Sequence, residues 1–183
     1  CWRRNGRLHR KGDRPAEIVY TDDGVMMSQY WYRDGLEHRE GDRPAEIVYT
    51  NDGIILQCWY RVGQIHREGD LPAEIWYNES GEILVQRWWR DNIPHRDGDE
   101  PAEIRYSNGI IESECWNRDG CLHRDGGGPA LIRYSNGTKV LERWYLDDYQ
   151  DREEDLPATI RYNESGEIQS QSWYRRGLLH REA

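Results

Sequence analysis

Six histidines, each followed by an arginine, are the residues with the most chemistry to offer: His9-Arg10, His38-Arg39, His66-Arg67, His95-Arg96, His123-Arg124 and His180-Arg181. Imidazoles beside carboxylates bind transition metals and move protons. Spacing argues against both uses. The pairs keep step with a unit of 28 or 29 residues. If each unit adds two strands to a sheet, equivalent histidines stand ~9.6 Å apart, far beyond the ~2.0–2.3 Å at which ligands share one zinc. A His, an Asp and a Glu of one unit have the means to converge, but the sixth unit replaces His with Asp151, ahead of Arg152. That exchange keeps a hydrogen-bonding group and needs no metal. The column therefore reads as structural, each ring bonded to a neighbouring carbonyl or carboxylate. Catalysis asks for one asymmetric cluster, whereas this chain repeats the same polar groups along its length. Asp148, Tyr149 and Asp151 break the pattern and are the one candidate for such asymmetry, which drift within one repeat explains equally well. No catalytic residue, metal or cofactor is expected.

The arginines of the same marks, Arg39, Arg67, Arg96 and Arg124 among them, form a second column with anion binding to offer. A formal net charge of −9 argues against nucleic acid as partner, since that affinity rests on Lys and Arg contacts to phosphate. Acidic neighbours such as Glu40, Asp42 and Glu46 are expected to neutralise the column as ion pairs. Beside it runs a tryptophan column, Trp31, Trp59, Trp88, Trp116, Trp144 and Trp173, led by Trp2. The Trp and Arg columns together are the candidate interaction surface. Cys1, Cys58 and Cys115 precede column tryptophans in alternate units, ~19 Å apart on strand spacing and beyond disulfide reach. Cys115 and Cys121 flank one turn that sets Arg118, not Cys115, opposite Cys121. Unpaired thiols favour a reducing compartment. Three glycosylation sequons at turns, led by Asn78, Asn136 and Asn163, favour an extracellular one, although Asn, Ser and Gly form turns in any compartment. Localisation stays open.

The elements that must carry these columns repeat just as regularly. A Pro-Ala pair follows the marks at Pro15-Ala16, Pro44-Ala45, Pro72-Ala73, Pro101-Ala102, Pro129-Ala130 and Pro157-Ala158. An alternating run comes next, Ala16-Glu17-Ile18-Val19-Tyr20 in the first unit, which is a strand with one buried and one wet face. Ile18, Ile47, Ile75, Ile104, Ile132 and Ile160 should be buried in one column. Glu17, Glu46, Glu74 and Glu103, with Arg105, Arg133 and Arg161, should face solvent. Two turn signals per unit close hairpins in which Asn-Gly or Asp-Gly supplies positive φ. The first lies between Trp and His, at Asn5-Gly6, Asp34-Gly35 and Asp119-Gly120, with weaker copies at Asp91-Asn92 and Asp147-Asp148. The second follows the strand, at Asp23-Gly24, Asp52-Gly53, Asn108-Gly109 and Asn136-Gly137, and at Gly81 and Gly166. Nine Trp and twelve Tyr against no Phe suit a thin sheet laced by aromatic ladders rather than a thick aliphatic core. No stretch keeps a helical period or the length of a membrane span, so membrane contact is not expected. The expected fold class is all-β: an elongated antiparallel β-meander in one repeat array, 1–183. Its units are 2–30, 31–58, 59–87, 88–115, 116–143 and 144–172, with a partial unit 173–183.

Trp31-Tyr32-Arg33-Asp34-Gly35, His38-Arg39 and Gly41-Asp42-Arg43-Pro44-Ala45-Glu46-Ile47-Val48-Tyr49 make this unit resemble the MORN-type repeats. The likeness is to the longer variant with a His-Arg and Gly-Pro-Ala core, found in multicopy proteins of giant amoebal viruses and of assorted microbes. It covers nearly the whole chain. What it implies is a hairpin-repeat sheet tied to scaffolding, to membrane-proximal attachment and, in one bacterial branch, to immunity against toxins, with no catalytic residues. The unit departs from the shorter Gly- and Tyr-rich MORN consensus on which lipid association rests. The sequence begins and stops inside a unit without a polar cap, which points to a piece of a longer array or to ends covered in an assembly. The expected function is a non-catalytic structural or protein-interaction scaffold that self-associates, an open filament being one natural product. The alternative is a β-repeat module that binds carbohydrate or peptide along the aromatic and Arg columns.

Overall fold

The computed structural model describes residues 1–153 and 155–182. They form an all-β protein whose one helical element is the short 3₁₀ turn Asp125–Gly127. The chain divides into two compact units, Cys1–Ile93 and Pro94–Ala183.

In the first unit, the strands Glu17–Tyr20, Met26–Tyr30, Glu46–Thr50, Gly53–Cys58, Glu74–Tyr77 and Ile83–Arg87 pair antiparallel in chain order as a meander. The second repeats the arrangement with Glu103–Ser107, Ile110–Cys115, Leu131–Ser135, Thr138–Arg143, Thr159–Tyr162, Ile168–Arg175 and Leu178–Glu182. The alternating run after each Pro-Ala supplies the first strand of each long hairpin, and its isoleucines share a face. Ile47, Ile75, Ile132 and Ile160 are buried, while Ile18 and Ile104 are half-buried.

Every long hairpin carries a bulge one residue before its last Tyr, between Val19 and Tyr20, Val48 and Tyr49, Trp76 and Tyr77, Arg105 and Tyr106, Arg133 and Tyr134, and Arg161 and Tyr162. The extra residue lies on the return strand, Met27 in the first hairpin and Ile55 in the second, and adds local twist there. In several units the tyrosine beside it is bonded across the sheet: Tyr49 Oη donates to Gln29 Oε1 (2.9 Å), Tyr77 to Gln57 (2.8 Å) and Tyr134 to Glu114 (2.7 Å).

The Trp-to-His segments do not extend the main ladder. They close as separate two-residue ribbons, among them Tyr32–Arg33 with Leu36–Glu37, Tyr60–Arg61 with Gln64–Ile65, and Asn117–Arg118 with Cys121–Leu122. The last of these sets Arg118 opposite Cys121, the register its turn residues require. Several turns are tied to the preceding ribbon by backbone hydrogen bonds: Gly35 N–H to Leu8 O, Gly63 to Glu37 and Gly177 to Gln150. Only the Trp173 segment runs on unbroken, as part of Ile168–Arg175.

Both central residues of the ribbon turns have positive φ, as at Asn5 (50°) and Gly6 (79°) or Asp119 (50°) and Gly120 (89°). This is the primed geometry that matches the strand twist. Val62 (51°) takes the same conformation before Gly63 although its sequence carries no such signal. At Asp52-Gly53 the turn lies one residue earlier than the dipeptide suggests, because Thr50 pairs with Gly53.

Tryptophan sits where ribbon and sheet meet. Trp31 N–H donates to Ala45 O (2.8 Å) and Trp31 O accepts from His38 N–H (3.0 Å), with the same pair of bonds at Trp59, Trp116 and Trp144. The ring then packs on Ala45 and Ile47, and the Trp-Ala-Ile cluster recurs as Trp59-Ala73-Ile75, Trp116-Ala130-Ile132 and Trp144-Ala158-Ile160. Fully burying one such side chain stabilises by about 1.5–3 kcal/mol. Four repeats thus each hold a small core of the same Trp-Ala-Ile composition.

Candidate functional site

Over six of the column indoles lies an arginine. The guanidinium carbons of Arg10, Arg39, Arg67, Arg124, Arg152 and Arg181 stand 3.7–4.0 Å from the ring centroids of Trp2, Trp31, Trp59, Trp116, Trp144 and Trp173. Seven residues from Trp to His and one more to Arg bring the chain round the ribbon and back over the ring it left. The same guanidinium reaches forward to the carbonyl before the next Ala, Arg39 Nη1 to Pro44 O (3.0 Å) and Arg67 Nη1 to Pro72 O (3.1 Å).

The carboxylate partner comes from the preceding repeat. Arg39 bonds Asp13 through Nε (2.6 Å) and Nη2 (3.1 Å), Arg67 bonds Asp42 (2.6 and 2.8 Å), and Arg124 bonds Asp99 (2.6 and 2.7 Å). Bidentate bonding of this kind favours the ionised carboxylate. Accordingly Asp13, Asp42 and Asp99 are all held below the usual carboxylate range, first by the Arg39, Arg67 and Arg124 hydrogen bonds respectively. Of the acidic residues expected to neutralise the column, Asp42 does so at Arg67, whereas Glu40 pairs with Arg33 (2.6 Å) and Glu46 accepts from Tyr60 Oη (3.2 Å). Nothing nearby in sequence shows the true pairing. Its signal is the Asp that returns four residues after His, one unit upstream of the Arg it serves.

The tryptophans are placed inside. Trp31, Trp59, Trp88, Trp116 and Trp144 are 6–7% exposed and Trp173 is half-buried, while Trp2 is exposed. The outward Glu positions need a correction as well. Glu74 is buried, its carboxylate bonded by Arg87 Nη1 (2.8 Å), Trp89 Nε1 (3.0 Å) and Trp76 Nε1. A buried carboxylate is tolerable when its lone pairs are filled by donors, and here two indoles and a guanidinium fill them. Glu46 is half-buried and burial pushes its carboxyl up. Arg105, Arg133 and Arg161 are exposed.

Histidine serves as a link between repeats. His66 Nδ1 lies 3.3 Å from Asp91 and Nε2 3.4 Å from Glu68; His123 stands likewise between Asp147 (3.1 Å) and Asp125 (3.3 Å). His9 Nδ1 accepts the backbone N–H of Asp34 (3.1 Å), and in the sixth repeat Asp151 Oδ2 accepts that of Arg176 (3.0 Å). Asp151 therefore keeps the hydrogen-bonding role of the histidine it replaces. Among the described residues, no three His, Cys, Asp or Glu gather in a metal-binding group.

Two of the three sequon asparagines have their amides engaged in turns. Asn78 Nδ2 donates to Glu82 Oε2 (2.8 Å) and Asn163 Nδ2 to Glu167 Oε2 (3.0 Å), while Asn136 is exposed at φ 49°.

The remaining asymmetry lies on the sheet face opposite the isoleucines. Cross-strand register aligns Val19, Ser28, Val48, Leu56, Trp76 and Val85 in one row of the first unit. The matching row of the second is Arg105, Ser113, Arg133, Leu141, Arg161 and Ser170. The first row holds no charge, and it exposes Val19 (40%) and Trp76 (36%). No family model matches the chain, and comparison with curated proteins finds no match.

Proposed function

We propose that the chain is a non-catalytic scaffold built from MORN-like β-hairpin repeats, and that it binds protein, first of all further copies of itself. The uncharged row Val19, Val48, Trp76 supports this reading. Large apolar side chains left in water on a strand face favour association with another surface of the same kind. On a chain with net charge −9, an uncharged strip is where two copies approach at least electrostatic cost, and a self-complementary contact of that sort is isologous. The alternative, carbohydrate or peptide lying along the Trp column, calls for an exposed aromatic row. Burial of Trp31, Trp59, Trp88, Trp116 and Trp144 leaves that reading with less support. Light scattering behind a sizing column tests the proposal. Wild type should elute above monomer mass, and Val19→Lys with Trp76→Lys should return it to monomer; a double variant that associates like wild type removes the row from the account.

A further inference from the structure

Arg152 breaks the ladder. It stacks on Trp144 at 3.8 Å and its Nη1 bonds Pro157 O (3.2 Å), as its counterparts do. The aspartate that should face it is absent, because Gly127 occupies the position held by Asp13, Asp42 and Asp99 in other repeats. No carboxylate of the described residues lies within ion-pair distance of Arg152. Glu142, which acts on it electrostatically, is already bonded by Lys139 Nζ (2.6 Å) and Tyr162 Oη. The contrast with Arg124 is plain: the Asp99 hydrogen bond raises the Arg124 guanidinium above its ordinary value, whereas burial lowers that of Arg152. A half-buried guanidinium with unfilled donors favours any anion able to satisfy them.

The surroundings leave room for one. A groove of about 920 Å³ opens on Arg152, walled by Trp144, Tyr145, Trp173 and Tyr174 and crossed by the Gly126–Gly128 turn. At Gly127 an added Cβ would meet nothing within 4 Å. Arg175 and Arg176, both exposed on the rim, add positive charge; Asp151 and Glu153 oppose it, the former with one oxygen already taken by Arg176 N–H. The volume lies in the range of sites for small organic molecules, ~300–1,000 Å³.

We propose that the Arg152–Gly127 groove is a carboxylate-binding site, in which the ligand's carboxylate takes the bidentate place that Asp side chains fill on Arg39, Arg67 and Arg124. The ligand is an organic acid, free or presented as an acidic side chain, whose body lies against the aromatic walls. The site is independent of self-association, since it lies on other residues than the Val19–Trp76 row.

Calorimetric titration of the full chain tests it with sodium benzoate, with acetyl-Gly-Asp-Gly-amide and, as ionic-strength control, with sodium chloride. Wild type should bind benzoate or the peptide saturably at one equivalent, and chloride should give no comparable isotherm. Binding by benzoate shows that a free carboxylate suffices; binding by the peptide alone assigns the carboxylate to a protein side chain. Two variants should each weaken binding at least tenfold. Arg152→Gln removes the donor. Gly127→Asp refills the slot from within, at a backbone conformation (φ 74°) that Asp155 adopts at the equivalent position (φ 53°) while reaching Arg181 at 3.6 Å. Should Arg152→Gln not fold, Gly127→Asp decides alone. Absence of saturable binding by either carboxylate, an equal response to chloride, or wild-type affinity in Gly127→Asp overturns the proposal.

Discussion

Arg67 grips Asp42 of the preceding repeat through two hydrogen bonds, Nε to Oδ1 at 2.6 Å and Nη2 to Oδ2 at 2.8 Å, while its guanidinium lies 3.9 Å above Trp59. One side chain thus seals the indole, ties two repeats and fixes the carbonyl of Pro72. Lysine retains the charge but has neither the planar stack nor the fork. Arg67→Lys should therefore destabilise by about 1–2 kcal/mol, the order of a partly desolvated cation–π contact. Asp42→Ala should cost less, about 0.5–1 kcal/mol, because its carboxylate is more than half exposed and solvent screens the pair. Urea denaturation of the two single variants and the double variant measures both costs and their coupling.

Acid should loosen the ladder. Asp13, Asp42 and Asp99 have folded-state pKa values below those of the unfolded chain. The stability they contribute is present above the ordinary carboxylate range and is lost as pH falls through the depressed folded values. Glu46, raised by burial, has the opposite sign and favours the fold at lower pH. Melting temperature between pH 7 and pH 3 should fall for wild type, and fall less steeply when all three aspartates are changed to Asn.

Val62 occupies a turn position, φ 51°, that a β-branched residue adopts at a cost of roughly 1–2 kcal/mol. Asn stands at the equivalent place in Asn5 and is tolerated there. The Val62 side chain is 60% exposed, so little packing is lost on replacing it. Val62→Asn should stabilise by about 1 kcal/mol, and a lower midpoint in urea would show that the Val side chain contributes more than its exposure suggests.

Four repeats hold a small Trp-Ala-Ile core of their own, so a core substitution should be felt in proportion to local burial. Ile47→Ala should cost about 2–4 kcal/mol and Ile18→Ala, half-buried, about half that. Equal losses would mean that the end repeat packs as tightly as the inner ones.

What could be read from the residues is what local pattern dictates. Period-two alternation after Pro-Ala placed Ile47 and Ile75 inside, and Asn-Gly or Asp-Gly marked turns such as Asn5-Gly6, since positive φ is a property of those dipeptides. Contacts between repeats were less visible. Arg39 and Asp13 are separated by 26 residues, a distance set by how units stack and not by any motif, so the general expectation of acidic neighbours did not single out Asp13. Glu74 looked solvent-facing because nothing in its alternating strand announces that Trp76, Trp89 and Arg87 converge on it. The ribbons fall outside the main ladder for a similar reason: a turn signal sets a hairpin but does not choose the sheet it joins. Gly127 was legible as a departure only once the role of its Asp counterparts was known.

Sedimentation velocity over a micromolar concentration series tests the scaffold claim most directly. The account predicts a weight-average sedimentation coefficient that rises with concentration, with species heavier than the 21.8 kDa chain. A single monomeric boundary, unchanged across the series, would contradict self-association.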